Sequence, residues 1–282
     1  MRNTLSPKVG VVAGCAIMNM STSTYHYKSM KNSDDLILKK EIETIIELLP
    51  ESGYRPVTAK LREKMTINSK KVLRVMRKYQ LLCSKNKGFH KPTTKSGHSL
   101  TKYPNLIKNL TIVRPRQAIV GDVTAFDICG VDHFLALLMD LFTREILGVA
   151  ISDKNNTKLV LSCLHDATLN YPEIKGAIHH TDTDVRYCSS AYINAAKAMD
   201  LNISMTLGNA YENAHAESLN KTVKRQEINI SEYPDKAAAA QSIFCYRELY
   251  NNVRPHSALG MIAPAVFMKN FMLKNIKKDV QF

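Results

Sequence analysis

The chain contains no tryptophan, and aromatic residues make up only 7% of its 282 positions. Its six cysteines (Cys15, Cys83, Cys129, Cys163, Cys188 and Cys245) lie far apart, with no Cys-x-x-Cys pair. That spacing excludes a zinc ribbon or a disulfide scaffold and predicts reduced, mostly buried thiols. No apolar run reaches the roughly 18–20 residues that a membrane-spanning helix requires, so no membrane partner is expected. Eleven Gly and ten Pro are too few for a collagen-like or low-complexity chain. What remains, 45% hydrophobic and 23% charged, is the composition of a globular protein long enough for two domains.

Acidic residues are scarce in one stretch only. Residues 54–116 hold 17 Lys and Arg against a single acid, Glu63, whereas the rest of the chain has 22 basic and 24 acidic residues. The net charge of +14 is therefore concentrated in one segment, which reads as a polyanion-binding region on a near-neutral protein. At the N-terminus, Arg2 and Lys8 precede an apolar stretch over 9–18, and Val12-Ala13-Gly14-Cys15 resembles a lipoprotein cleavage box. A small helix, a turn and a second helix near 21–29 account for the same residues. With the basic middle, they favour a cytoplasmic, nucleoid-associated protein over an exported one.

Periodicity divides the chain. Leu38, Ile42, Ile45, Ile46 and Leu49 form a helical stripe over 34–49, which Pro50 and Gly53 close. A short helix is predicted over 58–64 with Thr58 as its cap, and a further one to about Tyr79, capped by Asn68 or Ser69. The latter buries Val72, Val75, Met76 and Tyr79 and turns Lys70, Lys71, Arg74, Arg77 and Lys78 outward, as a helix against a phosphate backbone requires. We therefore expect an N-terminal helical region with a helix-turn-helix over 1–84 and a basic linker over 85–116. From residue 117 to 282 the pattern is a three-strand meander (118–128, 134–139, 146–151). Helices over 156–170, 190–199, 214–226 and 235–251 follow, interleaved with strands over 176–179 and 203–205. This is the order of an RNase H-like α/β core, a mixed sheet with flanking helices.

Three acids stand at element edges: Asp122 in the first strand, Asp182 after the fourth, and Glu217 at the start of the helix after the fifth. Convergent carboxylates suit hard Mg²⁺, and two such ions can clamp the attacking and leaving oxygens of a phosphoryl transfer. Asp127, Asp140 and Asp184 compete for the same role on spacing alone. Lys221 and Lys224 share a helix face with Glu217, and Arg225 is adjacent; a Glu–Lys pair there could be a weak surface pair, or Lys221 could grip a phosphate. His179 and His180 suit structural roles better than Mg²⁺ ligation.

The residues around these acids carry a resemblance. Gly121-Asp122-Val123-Thr124 and Leu138-Met139-Asp140-Leu141-Phe142-Thr143-Arg144 look like the first strands of insertion-sequence transposases with a retroviral-integrase-like core. His180-Thr181-Asp182 resembles the family's second-aspartate motif, and Asn209-Ala210-Tyr211-Glu212-Asn213-Ala214-His215-Ala216-Glu217 its glutamate motif. The stretch from Tyr250 through Arg254-Pro255-His256 to Pro264 is similar to its C-terminal signature. The resemblance covers nearly the whole chain and points to the second-frame (OrfB) catalytic subunit of a two-frame element. It implies that Asp122, Asp182 and Glu217 form a metal-binding DDE triad for Mg²⁺ or Mn²⁺; beside it, the basic helix faces make Lys70, Lys71, Arg74, Arg77, Lys78, Lys221, Lys224 and Arg225 the residues expected to meet DNA. The implied activity is cleavage at the element's terminal repeats and transfer of the 3′-OH into target DNA. The implied partners are that DNA, an upstream-frame protein and further copies of the chain in a synaptic complex. The chain departs from the pattern in lacking a Trp before Asp122 and in placing Asp184 where a small residue is usual. The alternative expectation is a catalytically inactive DNA-binding relic or regulator of the same element.

Overall fold

The structure, a computed structural model, describes residues 10–26, 31–83, 97–206 and 213–279. Part of the expected linker (85–96), part of the second expected helix (27–29) and the first part of the glutamate motif (209–212) lie outside the described residues.

Two short helices, α1 (Val11–Ile17) and α2 (Thr22–His26), precede a three-helix unit of α3 (Lys31–Leu48), α4 (Tyr54–Arg62) and α5 (Ser69–Lys78). The apolar stripes expected from periodicity meet in one core of Leu38, Ile42, Val57, Leu61, Val72, Val75 and Met76. The Asn68 side chain caps α5 by accepting from Lys70 N at 2.9 Å. Thr58 is not a cap: α4 starts four residues earlier, and the Thr58 hydroxyl donates back to Tyr54 O at 2.6 Å. Pro56 is tolerated there because a first-turn residue needs no N–H donor. Across the unit, buried Asp35 of α3 accepts from both terminal nitrogens of Arg74 at 2.6 and 2.8 Å and from Lys78 at 3.1 Å.

The remainder is a five-stranded sheet in the order β3-β2-β1-β4-β5. Its strands are β1 (Ala118–Ile128), β2 (Val131–Asp140), β3 (Ile146–Ser152), β4 (Ile178–Thr181) and β5 (Asn202–Met205). β1 to β3 form an antiparallel meander, while β4 and β5 run parallel to β1. The β1–β2 hairpin turns at Cys129 and Gly130, both in the left-handed region (φ +51 and +82), which matches the twist of the flanking strands. Strand β4 lies two residues later than expected, because Gly176 at φ +79 belongs to the turn that precedes it.

Both faces of the sheet are covered, as befits an α/β layer. Ile119 and Val123 face α6 (Thr157–Asn170) and α8 (Ser190–Ala198), which follows the single turn α7 (Val185–Cys188). Ala118, Val120, Phe126 and Ile128 face α9 (Ala214–Gln226) and α10 (Lys236–Asn252). Strand parity puts Asp122 on this second face. The last helix, α11 (Pro264–Asp279), lays Phe267 and Phe271 against Phe142. The architecture is an RNase H-like mixed sheet with flanking helices, preceded by a small helical unit. All six cysteines are free; Cys15, Cys163 and Cys188 are buried, but Cys129 and Cys245 are exposed, so burial of the thiols is only partial. Among the described residues, no helix is long and apolar enough to cross a membrane.

Candidate active site

The site is built from the parallel pairing of β1 and β4. Their register sets Val120 beside His180, so two residues further along each chain Asp122 and Asp182 are neighbours. Helix α9 crosses β1 on the face that Asp122 shares and brings Glu217 in its first turn. Asp122 is the most enclosed of the three. Its Oδ1 accepts from Val123 N at 2.8 Å and its Oδ2 from Asn220 Nδ2 of α9 at 2.8 Å. Burial, then the negative charge of Asp182 and, further down, that of Glu217 push its carboxyl up to about 7, against the two donors that hold the charged form. Asp182 and Glu217 therefore each lie within electrostatic reach of Asp122.

They are not drawn into one cluster. Among the described residues, no group of three or more His, Cys, Asp or Glu is placed to hold a metal ion. Asp182 Oδ1 accepts from Asp184 N at 3.2 Å, and Glu217 Oε2 sits 3.6 Å from Lys221 Nζ, one turn along α9. Like-charged carboxylates repel, and each of the three meets a protein donor or cation of its own. The donor set nonetheless fits a hard divalent ion: it is all oxygen, and its negative charge is in excess on Asp122. Two further oxygens point the same way. Asn220 and Asn213 each spend their amide N–H beside Asp122, on its Oδ2 at 2.8 Å and on Gly121 O at 3.3 Å. The Oδ1 of each is buried with no hydrogen-bond partner among the described residues. Sequence reasoning missed both asparagines; Asn220 lies three residues after Glu217, the helical spacing that could have found it.

The competing acids are each occupied elsewhere. Asp127 Oδ1 accepts from Gly130 N at 3.0 Å in the hairpin turn. Asp140 is fully buried and joined to Arg116 at 3.0 Å in a network with Thr143 and Glu145. Asp184 caps α7, accepting from Arg186 N at 2.9 Å, and pairs with the Arg186 guanidinium, both side chains being less than 4% exposed. His179 and His180 are structural: their rings bond Tyr192 OH at 2.6 Å and Ser204 Oγ at 2.8 Å, and burial lowers His179 to about 3.

Of the basic residues singled out, Lys70, Lys71, Arg74, Arg77 and Lys78 are exposed on α5, but Arg74 and Lys78 share Asp35. On α9, Lys224 is half-buried; burial lowers its pKa, opposed by the charge of Asp122, while Lys221 and Arg225 are exposed. Arg254 donates to Gln226 Oε1 at 2.6 Å, and His256 caps the short turn Ser257–Leu259.

Family comparison covers the same region. Residues 113–207 and 201–264 match two models described as the integrase core domain. The chain is 34% identical over 205 residues to the transposase for insertion sequence element IS904 of Lactococcus lactis, spanning 72% of this chain and 81% of that protein. It is 29% identical to a 31 kDa protein of insertion element IS600 of Shigella sonnei, over 91% of this chain and 98% of that one. Among solved structures, the HTLV-2 integrase catalytic core domain in complex with magnesium aligns with a TM-score of 0.36 at 15% identity, covering 50% of this chain and 89% of that one.

Proposed function

Since the chain belongs to the insertion-sequence transposases that carry an integrase core, we propose that it cuts the ends of its element and joins the freed 3′-OH to target DNA, with Asp122, Asp182 and Glu217 as its catalytic acids. The observation that carries this reading is Asp122: a buried carboxyl raised to about 7 by burial and by the charges of Asp182 and Glu217 is a site short of positive charge. Mg²⁺ or Mn²⁺ held by these acids would supply that charge, lower the pKa of the attacking water or 3′-OH, and stabilise the leaving oxygen.

The chain's own residues do the rest. Asn220 fixes the Asp122 carboxylate through its amide, and Asn213 ties the start of α9 to β1 at Gly121. Lys221, exposed and 3.6 Å from Glu217 one turn along α9, would meet a DNA phosphate at the edge of the site. Lys224 and Arg225 extend that basic edge along α9. Residues 54–116 hold the DNA electrostatically, with Lys70, Lys71 and Arg77 on α5 as the cations not given to Asp35. On this reading the protein works in the cytoplasm on terminal repeats and target DNA, in a synaptic complex of more than one copy, with an upstream-frame protein as a further partner. The relic reading loses one of its motives, because Asp184 is satisfied as a helix cap and ion-pair partner.

The test is end cleavage and strand transfer by the full chain on DNA carrying its element's ends, with Mg²⁺ or Mn²⁺, with and without the upstream-frame product. Asp122→Asn, Asp182→Asn and Glu217→Gln should each abolish both steps and leave DNA affinity in place. Strand transfer that survives any one of them overturns the triad, and a wild-type chain that binds DNA without chemistry under every condition supports the relic.

A further inference from the structure

Arg144 stands in the turn between β2 and β3 at φ +63, a conformation that suits Gly or Asn better than a long side chain. Its guanidinium is half-buried and, among the described residues, has no hydrogen bond or ion pair. Burial lowers its pKa, while Tyr250 and Asp140 act on it only at a distance, and the Asp140 carboxylate is already joined to Arg116. A guanidinium taken from water without a partner is costly, so such a group normally has one.

Arg144 lines a cavity of about 270 Å³ whose other walls include Leu141, Phe142, Leu259, Phe267 and His215. Phe142 is held in place by the rings of Phe267 and Phe271, with centroids 5.5 and 5.0 Å away. His215 lies two residues before Glu217 in α9, so the cavity is within one helical turn of the acid assigned to catalysis. A phosphate is a poor occupant: it wants several donors, and only two polar side chains face inward between aromatic and aliphatic walls. A flat apolar surface beside one free fork of N–H donors matches a base with two acceptors on one edge.

We propose that this cavity receives an unstacked guanine of the DNA presented to the catalytic centre, packed against Phe142, with Arg144 donating to its O6 and N7. The inference rests on the transposase reading and deepens it, making Arg144 a specificity-determining residue.

The test is a fluorescence-anisotropy titration of the full chain at fixed salt. The probes are duplexes of one sequence with a short unpaired tail carrying guanine, 7-deazaguanine or an abasic site, and a fully paired control. Guanine should bind roughly 5- to 150-fold tighter than the other two tails. Arg144→Gln should erase that preference, and so should Arg144→Lys, which keeps the charge but loses the fork. Phe142→Leu should lower affinity for both base-bearing tails towards that of the abasic one. The unfolding midpoint and the affinity for paired DNA should stay put in the variants taken as evidence. Equal binding of all three tails by the wild-type chain overturns the proposal. So does an Arg144→Gln variant that weakens every probe alike and flattens the log–log salt slope by about 0.9, the mark of a neutralised phosphate. Failure to bind any duplex brings down the transposase reading itself.

Discussion

Asp184→Asn separates structure from catalysis in this site. Asp184 and Arg186 form a pair in which both side chains are less than 4% exposed, and Asn155 also contacts the guanidinium. Asparagine keeps the size and the capping oxygen of the aspartate but removes the charge that it sets against the buried Arg186 guanidinium. Removing one member of a buried pair costs about 3–5 kcal/mol. At roughly 2–4 °C per kcal/mol for a domain of this size, the unfolding midpoint should fall by about 6–20 °C. Adding Arg186→Met should restore most of that loss, because the stranded charge is gone. Differential scanning calorimetry on the four proteins of this cycle, with and without Mg²⁺, reads both stability and metal. The stabilisation by Mg²⁺ should be the same in all four, since the pair lies outside the proposed metal site. A midpoint that holds for Asp184→Asn while the Mg²⁺ effect disappears would mean that Asp184 is a ligand, and the assignment of the site would be wrong.

Three further outcomes follow from the geometry. Asp122 holds its proton up to about 7 in the fold against an ordinary value of 3.8, so the folded state binds the extra proton and stability falls as pH rises from about 4 to 7. Asp122→Asn should remove that fall, worth on the order of a few kcal/mol, and Mg²⁺ binding, which must displace the proton, should tighten up to about pH 7 in the wild-type chain alone, as thermal shifts across pH will read. Replacing Lys70, Lys71 and Arg77 with Gln should flatten the log–log salt dependence of DNA binding by about 0.9 for each phosphate these cations neutralise, whereas Arg74→Gln with Lys78→Gln should flatten it less and destabilise the helical unit through Asp35; equal slopes for the two sets would refute the division. Gly148→Ala would place a Cβ 2.4 Å from Cys163 O of α6, so it should cost at least about 1–3 kcal/mol in urea unfolding, and a neutral result would contradict the packing of β3 on α6.

Much of this molecule is legible from local pattern. The bounds of α9 agree residue for residue with expectation, and Ala239, Ile243, Tyr246 and Tyr250 of α10 are buried as their spacing requires. β1 carries Asp122 as a half-buried acid among mostly buried residues, where its sequence pattern puts it. The departures are those of punctuation: Pro56 sits inside the first turn of α4, ahead of the start that Thr58 suggests, and Gly176, which the pattern places in a strand, lies in a turn. What leaves no trace in the sequence are partnerships made across distance. Asp35 meets Arg74 from 39 positions away, Asn220 meets Asp122 from 98, and neither pairing has a periodicity to announce it. For the same reason, spacing alone does not set Asp140 and Asp184 aside, and only the arginines beside them do so.

The most direct test of the central claim is a Mn²⁺ titration of the full chain followed by electron paramagnetic resonance, with Mg²⁺ as competitor, on the wild type and on Asp122→Asn, Asp182→Asn and Glu217→Gln. If the three acids gather a cation that relieves the charge on Asp122, the wild type should bind Mn²⁺ displaceably, and each variant should lose about tenfold or more in affinity, a loss of at least ~1.4 kcal/mol. Wild-type affinity retained in Asp182→Asn or Glu217→Gln would contradict the account.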